Sequence, residues 1–285
     1  MMVMEFGSKK RPSPLIRLVG FVVMAYAVSW SFWLLQVLMR DAFPNDPRLG
    51  LLHLLGSLGP AVAGLCMATA AGGRAGLRRL LERVFDWQAG GGPGAVVWHG
   101  IAWLGPFVVL FVAQVLAQEA GAAVQPGVLS PSDEFPGLPV WLYWLAVLVF
   151  YGFGEEIGWR GFALPLLQSR FHPVVATLLL SLIWAVWHWP LFLFSPGLSV
   201  LDPTGMAGWF ASLVTGAFLL TFLFNASGGS VLVVAIFHAT MDIAFLGPPA
   251  VAMRVGALVT VAGLVVFALL VKRGRAMAIG DEYVT

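Results

Sequence analysis

Charge is scarce in this 285-residue chain, and cysteine is almost absent. Asp, Glu, Lys and Arg make up only 11% of the residues against 59% hydrophobic, and the mean hydropathy is +0.88. So few polar side chains cannot cover a soluble globule, which makes a lipid bilayer the expected solvent. The single cysteine, Cys66, excludes an intrachain disulfide and any Cys-based zinc site. No cleavable leader is expected: the apolar run from Leu15 to Met39, behind Lys9, Lys10 and Arg11, is too long for an h-region and has no small-residue cleavage site, so it reads as a retained first span. There is no convincing internal repeat and no low-complexity tract, and one membrane domain is the economical reading.

What is present is a series of apolar runs of the length that crosses a bilayer, about 20 residues each. The expected architecture is an all-α polytopic membrane protein with about eight transmembrane helices, near 15–39, 50–72, 95–118, 138–168, 173–195, 206–225, 229–247 and 250–271. The fourth is read as one long helix, because its pattern continues past Arg160 through Phe162 and Leu166 and a kink at Pro165 does not forbid it. With the N-terminus in the cytoplasm, the basic residues of 9–17, 74–83, 160–170 and 272–275 all fall inside, as the positive-inside rule requires. Both termini are then cytoplasmic. Arg74 to Trp87 reads as an amphipathic helix anchoring a loop to the membrane surface, and 120–139, with its four prolines, as an external connection. Asn225 to Ser230, NASGGS, suits a tight turn between antiparallel spans. The chain divides into N-terminal membrane helices with the amphipathic segment (1–137), a four-helix core (138–247), and a last helix with a cytoplasmic tail (248–285).

Against this apolar background the segment from Gly152 to Pro190 carries Glu155, Glu156, Arg160 and His188. A charged side chain at the bilayer centre costs about 2.5–3.5 kcal/mol on insertion scales, so two acids and a base within six positions need a reason. On a helix Glu156 and Arg160 are i,i+4 neighbours and can pair. Glu155 lies about 100° further round and must face another helix. Its possible partners are His188 in the fifth span and His238 and Asp242, again i,i+4, in the seventh. Three helices thus each offer an ionisable group within the membrane. Hydrolysis suits such a set: a carboxylate desolvated among Phe153, Trp159 and Trp184, with an imidazole to share its proton, makes a base for water. His238 and Asp242 can polarise the carbonyl under attack or hold a metal that does so.

Plainer readings apply to single pieces. Glu156 with Arg160, alone, is a helix-locking ion pair. His53 and His99 read as interhelical or interfacial contacts, and His172 beside Pro173 as a surface residue. Trp184, Trp187 and Trp189 read as packing around the site. It is Glu155, His188, His238 and Asp242 taken together that point to function.

The pattern Glu155-Glu156-x-x-x-Arg160, then Trp184-x-x-x-His188, then His238-x-x-x-Asp242 resembles the three-motif signature of the CPBP family, the CAAX prenyl endopeptidase and bacteriocin-processing (Abi) intramembrane proteases. The resemblance covers about Trp141 to Phe245. Two positions depart from the commonest form: Trp184 stands where phenylalanine is usual, and Asp242 where the CAAX endopeptidases carry asparagine. The resemblance implies that Glu155 and His188 activate water, that His238 and Asp242 stabilise the oxyanion or complete the polar site, and that Glu156, Arg160 and Trp184 support the geometry. It leaves the cofactor open between zinc, for which Glu155, His188 and His238 are the candidate ligands, and none; the H-E-x-x-H pattern of many zinc proteases is absent.

Two other readings compete. One is a non-catalytic scaffold or bacteriocin-immunity protein of the same fold. The other is a proton-coupled carrier, disfavoured because no inverted repeat is visible. A serine protease would need a Ser-His pair within spans, and an aspartyl type two intramembrane aspartates. The expected partners are membrane lipid and a membrane-associated protein or peptide substrate, with no nucleic acid. The Ala-, Gly- and Arg-rich composition points to a bacterial inner membrane.

Overall fold

A computed structural model describes residues 13–40, 42, 48–88, 93–122, 135 and 137–279. Lys9, Lys10 and Arg11, and the proline-rich connection at 123–134 and 136, lie outside the described residues. Within them the chain is built of helices: α1 Pro14–Arg40, α2 Arg48–Ser57, α3 Gly59–Val84, α4 Pro93–Glu119, α5 Val140–Gln168, α6 Pro173–Trp187, α7 Pro203–Ala226, α8 Val231–Ala244 and α9 Pro249–Met277. Seven helical segments are long and apolar enough to cross a membrane, with α2 and α3 counted as one. This is an all-α polytopic membrane protein.

The helices show how lipid and protein divide their faces. In α1 the buried residues are Arg17, Phe21, Ala25, Ser29, Trp33 and Gln36, a stripe at nearly every fourth position. Leu15, Val19, Val23 and Leu38 on the other faces are exposed. A stripe that narrow is the seam of a helix whose remaining surface is solvated by acyl chains. In α9 Val251, Val255, Val259, Gly263, Val266, Leu270 and Gly274 form the same kind of ridge. It sits against α7, where Gly263 meets the backbone of Thr215 so closely that a Cβ would overlap it.

Two expected spans take a different form. The second is divided at Leu58, between α2 and α3. It ends where expected, at Gly73, whose φ of 58° and ψ of −148° break the helix and set the Arg74–Val84 segment off as the separate arm that the sequence indicated. On that arm Leu80 and Val84 turn inward, while Arg74, Arg78, Phe85 and Trp87 are exposed. The expected span at 229–247 is α8, only 14 residues long. At 1.5 Å per residue it covers about 21 Å, short of the roughly 30 Å hydrocarbon core. Nearly all of it is buried, so its neighbours rather than lipid surround it. The apolar pattern alone carries the run past both helix ends, because it is indifferent to the Ser230 cap and to the turn at Phe245.

The long reading of the fourth span holds: α5 extends from Val140 to Gln168. It is not uniform. Val147–Phe153 and Trp159–Ala163 are π-helical, on either side of the α-helical turn Gly154–Gly158 that carries both glutamates. Such π turns are rare and gather at functional sites. Glycines let this helix approach its neighbours. A Cβ at Gly158 would overlap Pro60 O of α3, and one at Gly152 would lie 2.5 Å from Ala235 O of α8.

Candidate active site

The site is assembled by α5, α6 and α8, with α1 steadying α6. The helix α6 ends at Trp187 because Pro190 has no N–H to extend the ladder, and the chain continues as a 3-10 turn over Trp189–Leu193. A helix end leaves carbonyls unpaired. Here they are taken up by side chains: Tyr26 Oη donates to Ile183 O, Trp30 Nε1 to Trp187 O at 3.0 Å, and His188 Nδ1 to Trp184 O at 2.7 Å. Trp187 Nε1 in turn donates to Ser29 Oγ at 2.8 Å. His188 therefore sits at the C-terminal cap of α6, with Nδ1 committed to the backbone and Nε2 without a hydrogen-bond partner among the described residues.

Trp184 is the centre of the arrangement. Its indole Nε1 donates to Glu155 Oε2 at 2.7 Å. Its ring lies edge-on to His238 at 5.4 Å between centroids and beside His188 at 5.4 Å. The guanidinium carbon of Arg160 stands 4.7 Å from its centroid. The Trp184-x-x-x-His188 spacing puts both residues on the inward face, and the buried indole N–H finds the partner it needs.

Glu156 is the second junction. Arg160 donates to Oε1 at 2.7 Å, and His238 Nδ1 donates to the same oxygen at 2.8 Å. The i,i+4 pair expected from the sequence is present, and it extends across to α8. His238 Nε2 stands 3.7 Å from Asp242 Oδ2, completing the other i,i+4 pair. Glu156 and Arg160 are fully buried, Glu155 is 5% exposed and His238 8%, whereas the Asp242 side chain keeps 36% of its surface. The group is thus reached from the Asp242 side. Glu156 Oε2 and two Arg160 nitrogens are buried with no hydrogen-bond partner among the described residues, leaving capacity for further hydrogen bonds.

The structure brings Glu155, Glu156, Arg160, Trp184, His188, His238 and Asp242 into one cluster. It distributes the partners differently from the sequence expectation. Glu155 does not hydrogen-bond His188; each is joined to Trp184, one through the indole and the other through the carbonyl. The acid that reaches a histidine is Glu156. Sequence reasoning treated Trp184 as packing, and an indole N–H deep in an apolar span was the signal for its hydrogen bond. Trp209 of α7, 5.5 Å from the His188 ring, carries no such signal. His53 is buried against Trp33, Tyr151 and Phe194, and His99 pairs with Trp87 O at 2.9 Å, as interhelical contacts do. His172 caps α6 by accepting from Val174 N.

A metal was the other candidate occupant. Among the described residues no three His, Cys, Asp or Glu side chains converge as a metal-binding group. Glu155 Oε2 and the Nδ1 atoms of His188 and His238 are engaged with protein partners, contacts that metal-ligating histidines also make with their second nitrogen, so the choice between zinc and no metal stays as the sequence left it.

Comparison with known proteins falls on the same segment. Residues 137–244 match the family model described as type II CAAX prenyl endopeptidase Rce1-like. A relative, CAAX prenyl protease 2 of Methanococcus maripaludis, is 28% identical over 93 residues, which are 31% of this chain and 34% of that protein. The match therefore spans about a third of the curated relative's length.

Proposed function

We propose, for a chain whose residues 137–244 match the Rce1-like family model of CAAX prenyl endopeptidases, that it is an intramembrane endopeptidase cleaving a peptide bond of a membrane-associated protein or peptide. The observation that carries this reading is that one side chain, Trp184, contacts Glu155, His188 and His238 at once. Groups delivered by three helices meet around one indole ring, where a simple ion pair would need only two.

In the proposed reaction Glu155, its Oε2 held by the Trp184 N–H, takes a proton from a water molecule. His188 Nε2 orients that water from the other side. The hydroxide adds to the scissile carbonyl carbon, and the charge passing to the carbonyl oxygen is met by His238 Nε2. Asp242 orients that nitrogen, while Glu156 and Arg160 hold the imidazole from its Nδ1 side. On collapse the C–N bond breaks and the proton on Glu155 passes to the departing amine, giving one carboxylic acid and one amine. A substrate of CAAX type, or another membrane-anchored peptide, would enter where Asp242 is open. Membrane lipid is the surrounding partner.

The test is cleavage of farnesylated and unprenylated peptides by the purified protein beside Glu155→Gln, each with and without a metal chelator. Cleavage by the wild type and none by a folded Glu155→Gln protein supports the reading. Equal cleavage by both overturns it. Loss on chelation would move the water activation to a metal. No cleavage of any peptide would favour a scaffold.

A further inference from the structure

A polar cavity lies at one end of the bundle, away from the glutamates. It has a volume of about 340 Å³ and is walled by Gln168, Arg170, Phe171, His172, Arg275 and Ala278, at the junction of α5, α6 and α9. The floor is rigid: Gln168 Nε2 donates to Asn225 Oδ1 at 3.2 Å, and Ile279 N donates to Gln168 Oε1 at 3.0 Å. Gly274 packs against His172 and Pro173 closely enough to bring α9 onto the first turn of α6. Arg170 and Arg275 are exposed and have no side-chain hydrogen bond or ion pair among the described residues. Other cations share this end: Lys272 and Arg273 adjoin Arg275, and Arg83 approaches Gly229, which also meets Ile279.

We infer that this pocket holds the phosphodiester headgroup of an anionic phospholipid, drawn from the leaflet at the basic end of the bundle. Two guanidiniums line one concavity with no carboxylate paired to them among the described residues, and they match a phosphate in charge and in hydrogen-bonding geometry. Basic pockets between transmembrane helices on the cytoplasmic side are where such headgroups settle. The neighbouring turns favour a lipid over a free phosphate ion. Phe171, Val175, Leu178 and Val271 are 46%, 42%, 39% and 53% exposed, an apolar surface beside the pocket for acyl chains to lie on.

The experiment is native mass spectrometry of the detergent-solubilised full chain with phosphatidylglycerol and with phosphatidylcholine of identical acyl chains. Preferential retention of phosphatidylglycerol is expected, weakened roughly fivefold by Arg170→Gln or Arg275→Gln and roughly thirtyfold by both together. Arg273→Gln, on the same helix end but outside the pocket wall, should retain binding. Thermal unfolding in the same detergent shows whether the double variant is folded, and if it is not, the single variants decide. Equal retention of both lipids, or a folded double variant that binds as the wild type does, overturns the assignment. So does an Arg273→Gln loss as large as that of Arg275→Gln, which would mean diffuse surface charge. Displacement by millimolar inorganic phosphate would overturn the lipid in favour of the free ion.

Discussion

The Trp184 indole nitrogen stands 2.7 Å from Glu155 Oε2, and the backbone carbonyl of the same residue accepts from His188 Nδ1 at 2.7 Å. The acid and the imidazole proposed to share one water molecule are therefore aimed by a single residue. Replacing it with phenylalanine keeps a ring for Arg160 and His238 to pack on and removes the N–H together with part of the buried indole volume. A hydrogen bond to a charged group is worth about 1.5–3 kcal/mol. We predict that Trp184→Phe lowers kcat by about 10- to 100-fold with KM little changed, and that the smaller ring lowers the unfolding temperature. An unchanged kcat would show that the N–H does not position Glu155.

Glu155→Gln and His188→Ala should each remove peptide cleavage while leaving the helical content and the unfolding transition close to wild type. General acid–base groups contribute about 10²- to 10⁴-fold, so residual rates within threefold of wild type would sink their assigned roles. Circular dichroism beside the cleavage assay separates lost chemistry from a lost fold.

Glu156 and Arg160 should behave differently. Both are fully buried and 2.7 Å apart, so Glu156→Gln alone strands a cation and Arg160→Met alone leaves the anion with His238 as its one remaining partner among the described residues. Breaking a buried pair by removing one partner costs about 3–5 kcal/mol. The single variants should therefore lose stability as well as activity. The double variant should be less destabilised than the sum of the two, which a double-mutant cycle of unfolding in detergent reads directly. Strict additivity would mean that the two side chains do not depend on one another.

Gly158 faces the backbone of Pro60, with no room for a Cβ. Gly158→Ala should push α5 away from α3 at a cost of about 1–3 kcal/mol, as overpacking does. The carboxylates sit two and three residues away, so activity should fall with stability. A Gly158→Ala protein of wild-type stability and rate would mean that α3 gives way without consequence.

Much of this was legible in the chain before its fold. Six of the eight spans follow from run length, and the Glu156–Arg160 and His238–Asp242 pairs follow from the helical period alone. What did not follow depends on contacts between helices. The partner of Glu155 comes from 29 positions away, and nothing local chooses between an indole and an imidazole there. The reach of Glu156 to His238 spans 82 positions. The short α8 was missed because Val231–Ala244 merges into an apolar flank, while its ends are set by the Ser230 cap and the Phe245 turn. The end of the second span at Gly73 was legible because Arg74, Arg78, Arg79 and Arg83 follow it, whereas its division at Leu58 lies inside an apolar run and was not.

The two π turns of α5 have a consequence for insertions and deletions. A π turn holds about one residue more than an α turn, so each one offsets the helical phase on its two sides by about 100°. Val140–Ala146, Gly154–Gly158 and Leu164–Gln168 are therefore three phases of one rod. Removing a single residue between Val147 and Phe153 would let that turn relax to α. Either the glutamates would then swing away from Trp184 and His238, or the Tyr143 and Val147 contacts with α8 would be lost. The aim of the two acids is set by how many residues precede them as much as by which ones.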